Sequence, residues 1–449
     1  MKPRPVRRLQ PASWLLALLV ASCASPIPSG PAPPPSWAHA PASTNSLSGQ
    51  WWRSFGDPAL GRLIEEAWKN NPDLEVALQR IEAARADRFE AMAALYPSAG
   101  VALGFRQGRE QDRTTNMRPV DLEPWTGEAQ VSWEPDLTGR LGARLSAAES
   151  GEAVAYARWQ GARLLVATEV AAARFEDLLL ASEIERQQAQ LADERQAAKL
   201  TAELLERGLV SSAENASTIA HTESLDREIT ELDRVRQNAR VRLTRLLGGA
   251  RVPDTGGGVD LPAVPHRVPP AVWQSRPDLI AAEAGVRQAF ALGDAARLDL
   301  LPSLRFGAGA SFGNNSLTGD YNMWKASVGP SLEIPIWAPD RIAAVKRSRA
   351  QALAAAAGFR STADKAIEEI ERAYINLTRY RSQVNSLDRE TAAHRRAWED
   401  AKSKSDRGLE SAITTTDLAR RYRDTAALAT RTKLRALTAH LQLIRALGG

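Results

Sequence analysis

The order of apolar and polar positions divides the chain into long stretches of helical period and short stretches of strict alternation. From Gly139 to Arg207 there is no proline, and Ala, Leu, Arg, Gln and Glu dominate. All five are strong helix formers. This predicts one helix of roughly 100 Å at 1.5 Å per residue, several times deeper than the core of an ordinary domain. A second such stretch runs from Asp340 to Arg407, and both end in the same tripeptide, Arg207-Gly208-Leu209 and Arg407-Gly408-Leu409. Shorter helical stretches flank each rod: Pro58 to Ala94 and Ser212 to Leu247 in the first half, Pro277 to Leu300 and Ser411 to Leu447 in the second. Leu225, Ile229, Leu232, Ala239, Leu243 and Leu246 keep a spacing of mostly three and four, as do Leu437, Leu441 and Ile444. That spacing suits coiled-coil-like packing of antiparallel neighbours.

Alternation replaces the helical period in four places. Val101, Leu103 and Phe105 alternate with small or polar residues, as do Ala129, Val131 and Trp133. The second half has Leu304, Phe306, Ala308, Ala310 and Phe312, then Trp324, Ala326 and Val328. Four half-buried strands are predicted, in hairpins at about 98–137 and 302–337, with polar tips at Gln107 to Gly127 and Gly313 to Asn322.

The two halves are copies of one unit. Asn71-Pro72-Asp73-Leu74 recurs as Arg276-Pro277-Asp278-Leu279, and Pro97 and Pro302 each lie 25 residues after the motif proline. Thr138-Gly139-Arg140 faces Pro339-Asp340-Arg341, and Leu246 to Gly249 answers Ala446 to Gly449. The first repeat is assigned to 51–249 and the second to 276–449, joined by a Pro- and Gly-rich linker at 250–275. Four strands cannot cross a membrane alone, because an open sheet in lipid leaves backbone groups unpaired at several kcal/mol each. The barrel must close between chains: two chains give eight strands, which fill with side chains, and three give twelve, which leave a channel. Trp125, Trp133, Trp324 and Trp337 mark its membrane interfaces.

The N-terminus supplies an address. Lys2, Arg4, Arg7 and Arg8 precede a short apolar run, Trp14 to Val20, too brief to remain as a membrane span. Val20-Ala21-Ser22-Cys23 resembles a bacterial lipobox, so residues 1–22 read as a lipoprotein signal peptide and Cys23, the one cysteine, as the acylated N-terminus of a tether, 23–50. Ala24 after it implies sorting to the outer membrane, and Pro26 to Pro41 read as an extended segment. The formal charge of +5 shrinks to about +1 without the four basic residues of the signal, and nucleic acid is excluded as a partner. Chemistry is equally thin. His39, His221, His266, His394 and His440 have no metal spacing, there is no Walker or Gly-x-Ser-x-Gly motif, and Gly256-Gly257-Gly258 sits in the linker as a hinge. Neither an enzyme nor a cofactor is expected.

Trp51-Trp52-Arg53-Ser54-Phe55-Gly56-Asp57-Pro58-Ala59-Leu60, the Asn71 and Arg276 motifs with Ala282-Glu283, and both Arg-Gly-Leu turns resemble the TolC family of outer-membrane efflux proteins. The lipobox points to its lipidated OprM/NodT-type branch. The resemblance covers essentially the whole mature chain. It implies a mainly α fold with transmembrane β: a homotrimer whose twelve-stranded barrel continues as an α-helical periplasmic tunnel. It further implies docking to a periplasmic adaptor and an inner-membrane pump of RND type. The docking tips would be Arg207, Gly208, Leu209, Val210 and Ser211 with Arg407, Gly408, Leu409 and Ser411; copy one carries Glu214-Asn215 where relatives often have an aspartate and an apolar residue. The periplasmic gate would use Ile413 and Asp417, the latter forming an acidic ring with Arg420 as its ion-pair partner. The function expected is a passive, gated exit duct of a tripartite system exporting small molecules such as drugs. Two other readings are a lipoprotein scaffold without a pore and a duct for type I protein or polysaccharide secretion.

Overall fold

A computed structural model describes residues 50–105, 108–110, 120–122, 125–253, 258–264, 275–315 and 321–449. The signal peptide, Cys23, the tether and Gly256-Gly257 lie outside the described residues. Seven α-helices and six strands are described: α1 Leu60–Asn70, α2 Pro72–Ala93, β1 Ser98–Phe105, β2 Gly108–Glu110, β3 Val120–Leu122, β4 Trp125–Trp133, α3 Arg140–Glu206, α4 Ser212–Leu246, α5 Pro277–Leu298, β5 Ser303–Asn315, β6 Tyr321–Glu333, α6 Pro339–Ser405 and α7 Ala412–Leu447. The order helix, hairpin, long helix, shorter helix occurs twice, and both long helices have 67 residues. Each hydrophobic stretch is interrupted or charged often enough that no described helix is long and apolar enough to cross a membrane.

The chain forms two compact units. One holds Arg80–Tyr156 and Ala281–Arg360, with the strands; the other holds residues 50–79, Ala157–Ile280 and Ser361–Gly449. In the first, β1, β4, β5 and β6 form one antiparallel sheet in that order, leaving β1 and β6 as edges. The first hairpin tip, expected as a loop from Gln107 to Gly127, contains a short ladder, with Gly108 opposite Leu122 and Glu110 opposite Val120. Alternation of Val120 and Leu122 around Asp121 is the local signal for it.

The first helix departs from expectation. Pro58 to Ala94 is not one rod: a 3-10 turn at Trp51–Phe55 comes first, then α1, and α2 starts only after a break at Asn71. Pro72 disfavours the α region for the preceding residue, and Asn71 takes φ −75° and ψ 121°. Its Oδ1 accepts from Asp73 N at 2.9 Å, capping α2, and its Nδ2 donates to the Leu246 carbonyl at 3.0 Å. The second copy repeats the device with a different residue. Arg276 donates from Nη1 to the Ala446 carbonyl at 2.8 Å and from Nη2 to Glu369 at 2.7 Å. In each repeat, therefore, the residue before Pro-Asp-Leu ties down the C-terminus of the last helix. Both of those helices end in Schellman turns, at Gly248 and Gly448; a Cβ on Gly248 would lie 2.3 Å from Asn70 O, and one on Gly448 2.7 Å from Ser275 O.

In the second unit Phe55, Leu60, Ile64, Phe175, Leu243 and Leu247 form a fully buried core around which Trp51, Trp52 and Trp68 meet edge to face. Leu225, Leu243 and Leu246 on α4 and Leu437, Leu441 and Ile444 on α7 turn inward at the predicted spacing. The linker is more than a tether. Val252 and Val259 are buried in this core, and Asp260 N donates to Phe55 O at 2.9 Å.

Buried charge accompanies this core. Arg174 and Asp57 are each 1% exposed at their side chains and lie 3.0 Å apart. Asp177 adds contacts to Arg174, to Arg236 at 2.9 Å and to Arg240 at 3.6 Å. Asp57 also accepts from Ala59 N at 2.9 Å. His440 packs edge-on to Phe55 with its Nδ1 unpartnered; burial, with the Arg381 charge adding to it, lowers its pKa to about 4.

Candidate functional site

The sheet presents two chemically distinct faces. Register places Ala99, Val101, Leu103 and Phe105 of β1 level with Val131, Ala129, Gly127 and Trp125 of β4. The same face continues through Phe312, Ala310, Ala308 and Phe306 of β5 to Trp324, Ala326, Val328 and Pro330 of β6. From Phe306 to Phe312 and from Trp324 to Pro330 that face is apolar throughout, and it turns polar only toward the hairpin tip, where Asn314 is the register partner of Asn322. The reverse face carries Gly100, Ala102 and Gly104; Thr126, Glu128, Gln130 and Ser132; Arg305, Gly307, Gly309 and Ser311; and Lys325, Ser327, Gly329 and Ser331. Contacts support the partition: a Cβ on Gly127 would strike the Phe312 ring at 2.2 Å, whereas one on Gly104 would meet the Thr126 hydroxyl at 2.7 Å.

The strands are not half-buried within the chain, contrary to the alternation argument. Val101, Leu103, Trp324 and Val328 are 76–86% exposed, and the polar face is equally open. Among the described residues no second layer covers either face. Trp125, Trp324 and Trp337 are also exposed, and Trp133 is so in part while donating from its indole to Leu95 O at 3.1 Å.

Where the strands meet the helices of the same unit, charges pair closely. Glu134 takes Arg140 at 2.5 Å and Arg305 at 3.1 Å. Asp299 takes Arg140 and Arg144, each at 3.2 Å, and Arg341 donates to the Asp299 carbonyl at 2.8 Å and to Glu333 at 2.5 Å. Asp136 accepts from the backbone of Leu141 and Gly142 at 3.0 and 2.7 Å, capping α3. These residues fix the strand-to-helix corner; the sequence marks Arg140 and Arg341 only as matched positions of the two repeats, and the others look like ordinary surface charges.

In the other unit, each Arg-Gly-Leu tripeptide makes a tight helix end. Gly208 has φ +71° and Gly408 +73°. Leu209 N donates to Leu204 O and Leu409 N to Lys404 O, both at 2.9 Å, while the glycine N–H groups reach Leu205 O and Ser405 O. These are Schellman turns, and nothing lies near a Cβ built on either glycine, so backbone conformation alone selects the residue. Ser211 then caps α4 by accepting from Glu214 N at 3.1 Å. Leu209 and Leu409 project from the two turns, 68% and 72% exposed.

The gate residues open α7. The side chain of Ile413 lies outside the described residues. The ion pair expected between Asp417 and Arg420 is not made. Asp417 instead takes Arg421 at 2.9 Å, and Arg420 takes Asp424 at 3.9 Å. A separation of four brings these side chains together on one face of the helix. Behind this stretch lies a cavity of about 130 Å³ lined by Gln190, Glu194, Trp398, Thr416, Ala419 and Arg423. Gln190 Nε2 and Arg423 Nε are buried without a hydrogen-bond partner, Arg423 Nε lying 3.8 Å from Asp424. Burial raises the Glu194 pKa, against the opposing pull of Arg423 and His221. The beginning of α7 thus rests on a void of mixed polar and apolar lining, Leu225 included, where its other end packs through Leu437, Leu441 and Ile444.

Nothing in either place is arranged for covalent chemistry, and among the described residues no cluster could hold a metal ion. Known proteins agree with this picture. The sequence profile of the outer membrane efflux protein family matches residues 63–249 and 268–449. The pyoverdine export outer membrane protein OpmQ of Pseudomonas aeruginosa is 26% identical over 96% of this chain and 95% of its own length. The probable outer membrane lipoprotein SilC of Salmonella typhimurium is 26% identical over 66% of this chain and 65% of its own length. The solved CmeC outer membrane channel of Campylobacter jejuni superposes with a TM-score of 0.82 at 20% identity, over 95% of this chain and 94% of its own. The chain belongs to the outer membrane efflux protein family and is not an enzyme.

Proposed function

We propose that this protein is the passive exit duct of a tripartite efflux system, closed by three copies into a twelve-stranded barrel and opened at its helical tips. The observation that carries the reading is the sheet, with one face apolar along its middle, one small and polar face, and two edge strands without a partner among the described residues. Unpaired edges are intolerable in lipid, so closure must come from other copies of the chain. Residues 1–22 are removed, Cys23 is acylated, and 23–50 tether the repeats 51–249 and 276–449 to the membrane, with 250–275 between them. A periplasmic adaptor docks on the tips at Arg207 to Ser211 and at Arg407, Gly408, Leu409 and Ser411, where exposed leucines stand on rigid turns. An inner-membrane pump of the RND type supplies the energy.

Gating is assigned to the start of α7. Among the described residues Asp417 is tied by one exposed pair within its own helix, worth about 0.3–0.5 kcal/mol, and that stretch of helix borders a cavity rather than a packed core. The cargo is a small molecule, a class to which the pyoverdine of OpmQ also belongs. The test is planar-bilayer conductance of the purified lipoprotein with its mass determined in detergent. Small trimer currents that rise on Ile413→Ala or Asp417→Ala are expected. A monomer, or a trimer silent in every variant, would replace the duct with a scaffold.

A further inference from the structure

We infer that Glu128 and Lys325 form a ring of alternating charge on the lumen wall of the barrel, leaving it without preference for either sign of charge. The inference rests on the duct reading, which makes the small, polar face of the sheet the lumen.

Four charged side chains stand on that face among the described residues: Glu128, Arg305, Lys325 and Glu333. Two are neutralised locally, Arg305 by Glu134 at 3.1 Å and Glu333 by Arg341 at 2.5 Å. Glu128 and Lys325 are exposed and make no ion pair among the described residues. They share one level of the sheet, for Ser311 of β5 is the register partner of both. With strands about 4.8 Å apart, the two charges lie roughly 10 Å from each other along the wall. That is too far for a salt bridge and close to the Debye length at about 0.1 M salt, so each charge is felt by a passing ion as well as by its neighbour.

The geometry extends around the barrel. The register partner of Glu128 on the edge strand β1 is Ala102. Threefold symmetry puts the three copies of Glu128 at one height and the three of Lys325 at another, and because the strands of a closed barrel tilt by about 35–45° the two sets are offset by roughly 6 Å along the bore. Around the wall, charge recurs on every second strand with alternating sign, three of each in a trimer. The ring has no net charge. The remaining positions at this level are Ala102 and Ser311, so Glu128 and Lys325 are the long side chains that narrow the bore there. Ions of both signs find a partner on the wall at equal cost, and a dipolar solute can align between neighbouring charges.

Reversal potentials in a KCl gradient test this, on trimers verified by mass. Lys325→Glu should raise the K⁺/Cl⁻ permeability ratio by about threefold or more, and Glu128→Lys should lower it by a similar factor. The double swap, Glu128→Lys with Lys325→Glu, keeps six alternating charges and should return the ratio to the wild-type value. Conducting trimers whose ratio ignores both single changes would overturn the ring and leave the duct intact. A double swap that fails to restore the ratio would overturn the ring as well. Stable trimers without current in every variant, Ile413→Ala included, would remove the duct and the ring together.

Discussion

In the helical unit Phe55, Leu60, Ile64 and Phe175 turn inward, and the charges of Arg174, Asp57 and Asp177 are sealed among them. In the sheet unit Val101, Leu103, Trp324 and Val328 stand outward, and the charges of Glu128 and Lys325 occupy the opposite face. One chain obeys two opposite burial patterns. The difference lies in the solvent each unit is built for, since apolar surface left bare in water is unfavourable by about 25 cal/mol per Å² and left bare in lipid is not. Buried charge in the helical unit must therefore be paired inside the chain, whereas exposed apolar surface in the sheet needs no partner from it.

The sharpest way to break that contrast is in the helical unit. Arg174→Met should cost about 3–5 kcal/mol of stability, because Asp57 would stay buried without its cation. Asp177 keeps Arg236 and Arg240, so the loss falls on the segment holding Asp57. Denaturant unfolding with a limited-proteolysis readout at the Trp51–Phe55 turn checks this, and a change below about 1 kcal/mol would deny the pair its structural role.

A charge on the outward face of the sheet probes the other side. Val328→Arg should cost about 2–4 kcal/mol in lipid if this face meets the middle of the bilayer, and reduce recovery of heat-stable trimer from the membrane fraction. Ser327→Arg, one residue along and on the polar face, should be tolerated. Equal tolerance of both would mean that the two faces do not meet different solvents.

The smallest of the three effects is titration of His440. Its pKa is lowered to about 4 from an ordinary 6.5, so the unfolded state binds the proton first as pH falls. Its contribution, up to about 3 kcal/mol, is fully present above pH 6.5 and declines as pH falls through about 4. Unfolding free energy measured from pH 7 to pH 4 should fall in wild type and fall less in His440→Phe. Parallel curves would exclude the imidazole as the source.

Much of the scaffold was legible because it rests on local rules. Proline-free runs announced the two rods, the glycines of both Arg-Gly-Leu turns announced left-handed ends, and alternation announced the four main strands. A residue's role escapes the sequence where it depends on a distant partner. Asn71 breaks a helix that its composition would continue, since Pro72 and the Leu246 carbonyl together favour the break. The family resemblance implies Arg420 as the partner of Asp417, yet four-residue spacing gives that carboxylate to Arg421. Asp57 stands in a recognisable motif, but nothing in the sequence pairs it with Arg174, 117 residues away.

By itself the sequence determined periodicity, turn chemistry and duplication, for these follow from backbone sterics and side-chain shape within a few residues. It also determined the membership of the two faces of each strand, because alternation needs no partner. Tertiary structure alone decided which strands lie side by side, and so which charges share a level: β4 meets β5 across a gap of more than 160 residues, and only that pairing brings Glu128 and Lys325 to either side of Ser311. It also decided which of the many arginines are buried. Register and ion pairing are contacts between distant segments, and their free energy depends on distance in space, which the order of residues along the chain does not contain.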